Sequence, residues 1–363
     1  MSTAAFLNIP AYDHIRPTLS VAAELVRRGE HVIYYASEPF RESIEATGAV
    51  FRAYEGLPDN LLSETNPLML SVRMADSCRL LLPGLIAELN ANPADYLIYD
   101  SRCAWGWYAA RILDLPAISS MTLMMLNSTV LIRSGKLFPT LRQTLESLPL
   151  INAYRNILLE LEQTYGVTGP GVTDILNLSG PLTICYTSEQ FQPDAASFGG
   201  SVKFVGPADV PAVMATRTGD QPLVVCNGIC TVPEYAAALA GGNWQVRQVD
   251  RTSLADTLPQ ASLCVTSGVM STVQLALYCD VPLIVVPQTI EQSLVGQQVA
   301  SLGAGVQIDE LTPAHLRSAV EIVLANDHFR QAAASIGQSL RAAGGYARAA
   351  DEILAFTQAY SHR

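Results

Sequence analysis

The sequence predicts an α/β protein of two doubly wound, Rossmann-like domains facing across a cleft. Two stretches more than two hundred residues apart carry that expectation. AAFLNIPAYDHIRPTLSVAAELVRRGEHVIYY at residues 4–35 and LCVTSGVMSTVQLALYCDVPLIVVPQTIEQ at residues 263–292 each read as apolar strand, short loop, amphipathic helix, Gly or Asp stop and second strand. Length is the third observation: 363 residues exceed what one hydrophobic core usually organises.

The elements follow in order. Residues 3–9 form an apolar strand, and Pro17 suits the first turn of a helix with Leu19, Ala22, Leu25 and Val26 on one face. Gly29 stops that helix before the buried strand HVIYYAS. A helix from Glu38 to Thr47 stops at Gly48, and AVFRAY is the third strand. Such a βαβαβ unit requires parallel strands with right-handed crossovers. DYLIYD, WYAARILD and PAISS continue as strand, helix and strand, while residues 58–90 and 121–176 read as helical and rich in Leu and Met. The run MTLMMLN suits either core packing or an adaptable pocket for an apolar ligand, with Met121 and Met124 as pocket candidates. LTICYTSEQFQP closes the first domain, and the proline-punctuated FVGPADVPAV leads to a junction near residue 215, with RTGDQP at 217–222 as hinge surface. The second domain spans 216–345 and includes a helix capped by Thr312 with Pro313 first, then a helix from Phe329 to Gly344. A terminal helix within 346–363 is expected to pack back on the first domain.

Composition excludes several functions. The formal net charge of −11 disfavours nucleic acid and anionic membranes as partners. No apolar run is long enough for a membrane helix, and the N-terminus has no basic segment followed by an apolar stretch, so a cytoplasmic location is expected. Seven scattered cysteines read as buried thiols rather than a disulfide frame. Cys226 and Cys230 have no second ligand pair beside them, so no metal site is expected. No heptad or interface helix reveals whether the chain pairs with itself or with a partner enzyme.

Chemistry in open α/β sheets gathers beyond the carboxyl ends of the strands. His14 falls in the loop after the first strand and Asp100 ends YLIYD, so both project toward one sheet edge. A histidine braced by a carboxylate is a competent general base; alternatively, His14 caps its helix and Asp100 merely ends a strand. In the second domain, the loop TSGVMST places Ser267, Gly268, Ser271 and Thr272 at a helix start, which favours a phosphate. PQTIEQ puts Glu291 and Gln292 at another helix start, facing sugar-like hydroxyls or serving as first-turn residues.

Together these segments resemble the GT-B fold glycosyltransferases of the UDP-glycosyltransferase-like family that includes macrolide and other natural-product glycosyltransferases. The likeness covers most of the chain. It is carried by His14, Pro17 and Leu19 in the first stretch, Asp100 in YLIYDSRCAWGWYAARILDLPAISS, CYTSEQFQPD with FVGP, and STVQLALYCDVPLIVVPQTIEQSLVGQQVASLGAG. The resemblance implies that His14, supported by Asp100, deprotonates an acceptor hydroxyl. The oxygen then displaces a nucleoside diphosphate from a UDP- or dTDP-sugar with inversion, without a metal or resident cofactor. It also implies an acceptor pocket in the first domain, with Tyr12 at its edge. Ser267, Gly268, Ser271 and Thr272 would lie at the donor phosphates, and Glu291 and Gln292 at the donor sugar.

Departures concentrate on the donor side. The family usually has a histidine followed by glycines where this chain has Ser267, Gly268 and Val269, and a Trp-Pro-Gln run that QVRQVDRTSLADTL lacks, although Trp244 stands just before. VVCNGI and VDRTSL start at 224 and 249, markedly closer than the family's spacing, so one strand-helix step of the second domain is expected to be missing. Two functions follow as expectations. One is sugar transfer to a hydroxyl of a hydrophobic natural product. The other is a descendant that no longer uses nucleotide-sugar and acts as an accessory partner or as an acid-base catalyst on a polyketide-like molecule.

Overall fold

The strand β1 (Thr3–Leu7) is buried from its second residue on, and its neighbours β2 (His31–Ala36) and β4 (Tyr96–Asp100) are almost as apolar. Such runs belong in the middle of a parallel sheet covered on both faces. In the computed structural model, which describes residues 2–58, 61, 67–135, 148–171, 174, 177–210, 221–228 and 233–361, they do so. Seven parallel strands run in the order β3-β2-β1-β4-β5-β6-β7, with β3 at Val50–Ala53, β5 at Ala117–Met121, β6 at Leu182–Cys185 and β7 at Val202–Phe204. This sheet belongs to a compact unit of residues 1–186, 196–204 and 346–363.

Helix α1 (Tyr12–Arg27) crosses from β1 to β2 and buries Ile15, Thr18, Val21, Ala22 and Leu25. The buried stripe is therefore rotated from the expected face, and Leu19 and Val26 are only half-buried. The helix also starts earlier than its proline suggested: His14 is its third residue rather than a loop residue, and Pro17 lies inside it. Gly29 and Gly48, with φ of 94° and 85°, take the left-handed conformation that ends α1 and the short α2 (Arg41–Glu45). Helix α3 (Pro67–Ala91) packs on α4 (Ala104–Ile112) and α6 (Leu148–Tyr165), with Met74, Leu82, Leu97, Trp105 and Leu161 in their shared core. The Met-rich segment is not helical: Met121 ends β5, Met124 follows it in irregular chain, and α5 begins only at Ser128 (Ser128–Arg133).

The second compact unit comprises 187–195 and 205–345. Five parallel strands run β12-β11-β10-β8-β9, where β8 is Leu223–Asn227, β9 Gln245–Gln248, β10 Leu263–Thr266, β11 Leu283–Val285 and β12 Gly305–Gln307. Renumbered within the unit this is the 2-1-3-4-5 order of flavodoxin-like sheets, with its switch between β8 and β10. Among the described residues, helix α7 (Pro233–Leu239) and the exposed edge strand β9 lie in the short interval between β8 and α8 (Leu254–Thr257). Helix α9 (Met270–Tyr278) stops at Asp280 with φ 58°, and α10 (Ile290–Ser301) follows β11. Thr312 caps α11 (Pro313–Ala325) by accepting from His315 N, with Pro313 as first residue. Helix α12 (Asp327–Ala342) completes the unit, and α13 (Gly345–Ser361) runs into the first. Arg28 at the end of α1 donates to the Ala347 carbonyl and to Asp351, which ties α13 to the first unit. The expected junction at 215, hinge residues 217–220 and Cys230 lie outside the described residues. No described helix is long and apolar enough to cross a membrane.

Two stability predictions follow. A Cβ on Gly106 would lie 2.7 Å from Tyr99 Cβ and 3.3 Å from Leu7 Cβ, so α4 sits on the sheet at the distance only glycine permits. Gly106→Ala should lower unfolding free energy by about 1–3 kcal/mol in a denaturant titration. Glu24 accepts from Arg27 and Arg28 at 2.6 and 2.8 Å, and these contacts, Arg27's first, hold its carboxyl at about 2 instead of 4.5. A depressed carboxyl stabilises the fold above its unfolded value and loses that contribution as pH falls through the window from 4.5 to about 2. Because the pair is partly solvated, Glu24→Gln should cost about 1 kcal/mol or less at pH 7, and the difference from wild type should shrink at pH 3.5.

Candidate functional site

The first site is built at the carboxyl edge of the seven-stranded sheet. β1 pairs with β4 in parallel, with Leu7 beside Tyr99, so the chain leaving β1 and the last residue of β4 emerge together. His14, on the first turn of α1, and Asp100, ending β4, meet there: His14 Nδ1 lies 2.7 Å from Asp100 Oδ2, with the histidine 5% exposed and the aspartate fully buried. The other carboxylate oxygen, Oδ1, accepts from Arg102 N at 2.8 Å. With the shared hydrogen on Nδ1, the lone pair of His14 lies on Nε2, the nitrogen that can take a proton from a ligand. The structure thus places the two residues in direct contact.

Two contacts with the pair, and two phenols near it, were not legible beforehand. Thr122, two residues past Ser120, which pairs with Asp100 across β5, brings its hydroxyl to 3.0 Å from His14 Nδ1. Asn8, the first residue past β1, donates from Nδ2 to the His14 carbonyl at 3.1 Å. The phenols of Tyr34 and Tyr186 stand near Asp100; burial foremost, and the carboxylate more weakly, push both upward, so they stay protonated and do not compete as bases. The available signal for Asn8 and Thr122 was a polar residue just beyond the end of an apolar strand. Tyr12 opens α1, its hydroxyl accepting from Arg16, whereas Met121 and Met124 are buried.

The second site lies in the five-stranded unit. Gly268 has φ +94°, and a Cβ there would stand 2.7 Å from Val285 Cγ1 and 3.0 Å from the Gln292 carbonyl, so the loop after β10 rests directly on the start of α10. This brings Gly268 against Gln292. Ser271 and Thr272 are the second and third residues of α9, but Thr272 is 2% exposed and packs inward. The first turn of α10 is capped by Thr289, which accepts from Gln292 N at 3.2 Å, while Gln292 Oε1 accepts from Gln288 N at 2.8 Å. Gln292 Oε1 thus serves the helix start, and Glu291 beside it is half-buried.

Comparison with known proteins supports the fold. Residues 233–352 match the family described as Erythromycin biosynthesis protein CIII-like, C-terminal domain. The chain is 27% identical to the uncharacterized UDP-glucosyltransferase YojK of Bacillus subtilis, over 98% of this chain and 97% of that one. It is 26% identical to the demethyllactenocin mycarosyltransferase of Streptomyces fradiae, over 97% and 86%. Among solved structures, the calicheamicin glycosyltransferase CalG4 superposes with a TM-score of 0.79 at 25% identity, over 98% of each chain. With two Rossmann-like units the chain has the GT-B fold, and over nearly its whole length it is similar to glycosyltransferases that include macrolide and other natural-product ones.

Proposed function

We propose that the protein is an inverting glycosyltransferase that moves a sugar from a UDP- or dTDP-sugar to a hydroxyl of a hydrophobic natural product. The buried His14–Asp100 contact at 2.7 Å is the observation that supports this reading most directly. In the proposed reaction His14 Nε2 takes the proton of the acceptor hydroxyl, and the acceptor oxygen forms a bond to the anomeric carbon as the bond from that carbon to the diphosphate breaks. The nucleoside diphosphate leaves with the electron pair, and Asp100 stabilises the imidazolium. The nucleotide-sugar is a co-substrate, and the reading assigns no metal and no resident cofactor. Ser267, Gly268 and Ser271 are assigned to the diphosphate, where a hydroxyl and backbone N–H groups replace a charged imidazole. Glu291 is assigned to the sugar hydroxyls, with Gln292 contributing its amide nitrogen.

A second reading rests on the serine at 267 and on Gln292 Oε1 being engaged with Gln288 N. In it the chain has given up nucleotide-sugar and uses the His14–Asp100 pair for acid-base chemistry on a polyketide-like molecule, or acts as an accessory partner. A product with the mass of its substrate, formed without nucleotide, would establish it over the first.

Two measurements test the leading proposal. His14→Ala should reduce sugar transfer by roughly 10²–10⁴-fold at unchanged donor affinity, followed as the mass gain of the acceptor; full transfer by this variant would remove His14 from the base role. Ser267→His should tighten calorimetric binding of the cognate nucleotide-sugar by about tenfold, the scale of one added charge-assisted contact. No heat from either protein with UDP-, dTDP- or GDP-sugars would rule out the donor site.

A further inference from the structure

Helix α1 carries His14 on a first turn that lacks the usual supports. Its N-cap residue, Ala11, has no side-chain oxygen to accept from the free N–H groups, and Pro17 has no N–H to donate. Beneath this turn lies a polar network that engages the Asn8 amide nitrogen, while the Asn8 amide oxygen is buried without a hydrogen-bond partner. Asn8 is fully buried, and its Nδ2 donates to the His14 carbonyl at 3.1 Å and to the Tyr34 hydroxyl at 2.9 Å. The Tyr34 hydroxyl is 2.6 Å from Thr18 Oγ1, which donates to the Ile15 carbonyl at 2.6 Å. The orientation of the Asn8 amide is forced, because turning it over would set its oxygen against the His14 carbonyl.

Each end of the network is anchored in the sheet. Asn8 follows β1 and donates its own N–H to the Tyr35 carbonyl at 3.2 Å, while Tyr34 sits in β2 with its ring stacked on Phe6 at 4.7 Å. β1 is hydrogen-bonded to β4, which ends in Asp100. We infer that Asn8 is a positioning residue, which ties the backbone of His14 to the strand beside β4 and so sets the separation between the imidazole and Asp100. Thr18 and Tyr34 hold the Asn8 amide and the following carbonyl in place. Without Asn8 the first turn of α1 would be free to shift by fractions of an ångström, and His14 Nδ1 would lose its fixed acceptor.

The consequence for turnover rests on the base role proposed for His14, whereas the positioning itself is read independently by NMR of 15N-histidine-labelled protein. With five histidines in the chain, the His14 Nδ1–H signal is assigned by its loss in His14→Gln. In Asn8→Ala this proton should exchange with water at least about tenfold faster and shift upfield, and kcat should fall about tenfold with KM within twofold. Leu89→Ala, a core change in the same unit, should lower thermal stability and leave that signal where it is. If Asn8→Ala fails to fold, Tyr34→Phe, which keeps the ring stack and removes one of the acceptors that hold the Asn8 amide, should show the same exchange effect to a smaller degree. An unchanged His14 signal in a folded Asn8→Ala or Tyr34→Phe protein would overturn the inference. Faster exchange with unchanged kcat would uphold the positioning and refute the base role.

Discussion

The contact between His14 and Asp100 joins residues 86 positions apart and depends on one fact of topology, that β1 lies hydrogen-bonded beside β4. In the order β3-β2-β1-β4-β5-β6-β7 the chain reverses its direction of growth between β1 and β4, which leaves an opening at the carboxyl ends where no crossover helix covers the edge. His14 and Asp100 fill that opening from two sides, and Thr122 reaches it from β5. Burying an imidazole and a carboxylate without partners would cost several kcal/mol, so Arg102 N, Thr122 and the shared hydrogen bond are what let these groups stay in the interior. The dyad is held by regular elements, Asp100 by the end of β4 and His14 by the first turn of α1.

The second unit follows the same principle at smaller scale. Its five strands place the switch between β8 and β10, and the loop leaving β10 carries Ser267 and Gly268. Gly268 is there because the start of α10 presses against it; a side chain would meet Val285 and the Gln292 carbonyl. The capping by Thr289 and Gln292 explains why PQTIEQ is a helix start of fixed shape. β9 lies on the edge with all four residues exposed, and the switch in strand order falls between β8 and β10.

Local chemistry was legible wherever it is set by neighbouring residues. Gly29, Gly48 and Asp280 ended their elements as left-handed residues, Thr312 and Pro313 opened α11, and the apolar runs became covered parallel strands, because each depends on sterics or periodicity within a few positions. Pro17 misled for a physical reason. A proline signals a first turn only when no tertiary contact supports an earlier start, and here the buried network under residues 14–18 sustains the helix from Tyr12. MTLMMLN misled because helix and strand share the same apolar composition, and its first residue was claimed by β5 through pairing with β6.

What the sequence by itself determined is therefore the set of elements, the doubly wound class and the two candidate carboxyl-edge residues His14 and Asp100. What only the tertiary structure decided is which polar groups meet. That Asn8 holds the His14 carbonyl, that Thr122 reaches Nδ1, that Thr272 turns inward while Gln292 caps its own helix, all depend on distances between strands remote in sequence. Hydrogen bonds are short-ranged and directional, so their partners are fixed by the register of β1 against β4 and β5 against β4, a property that no local pattern encodes.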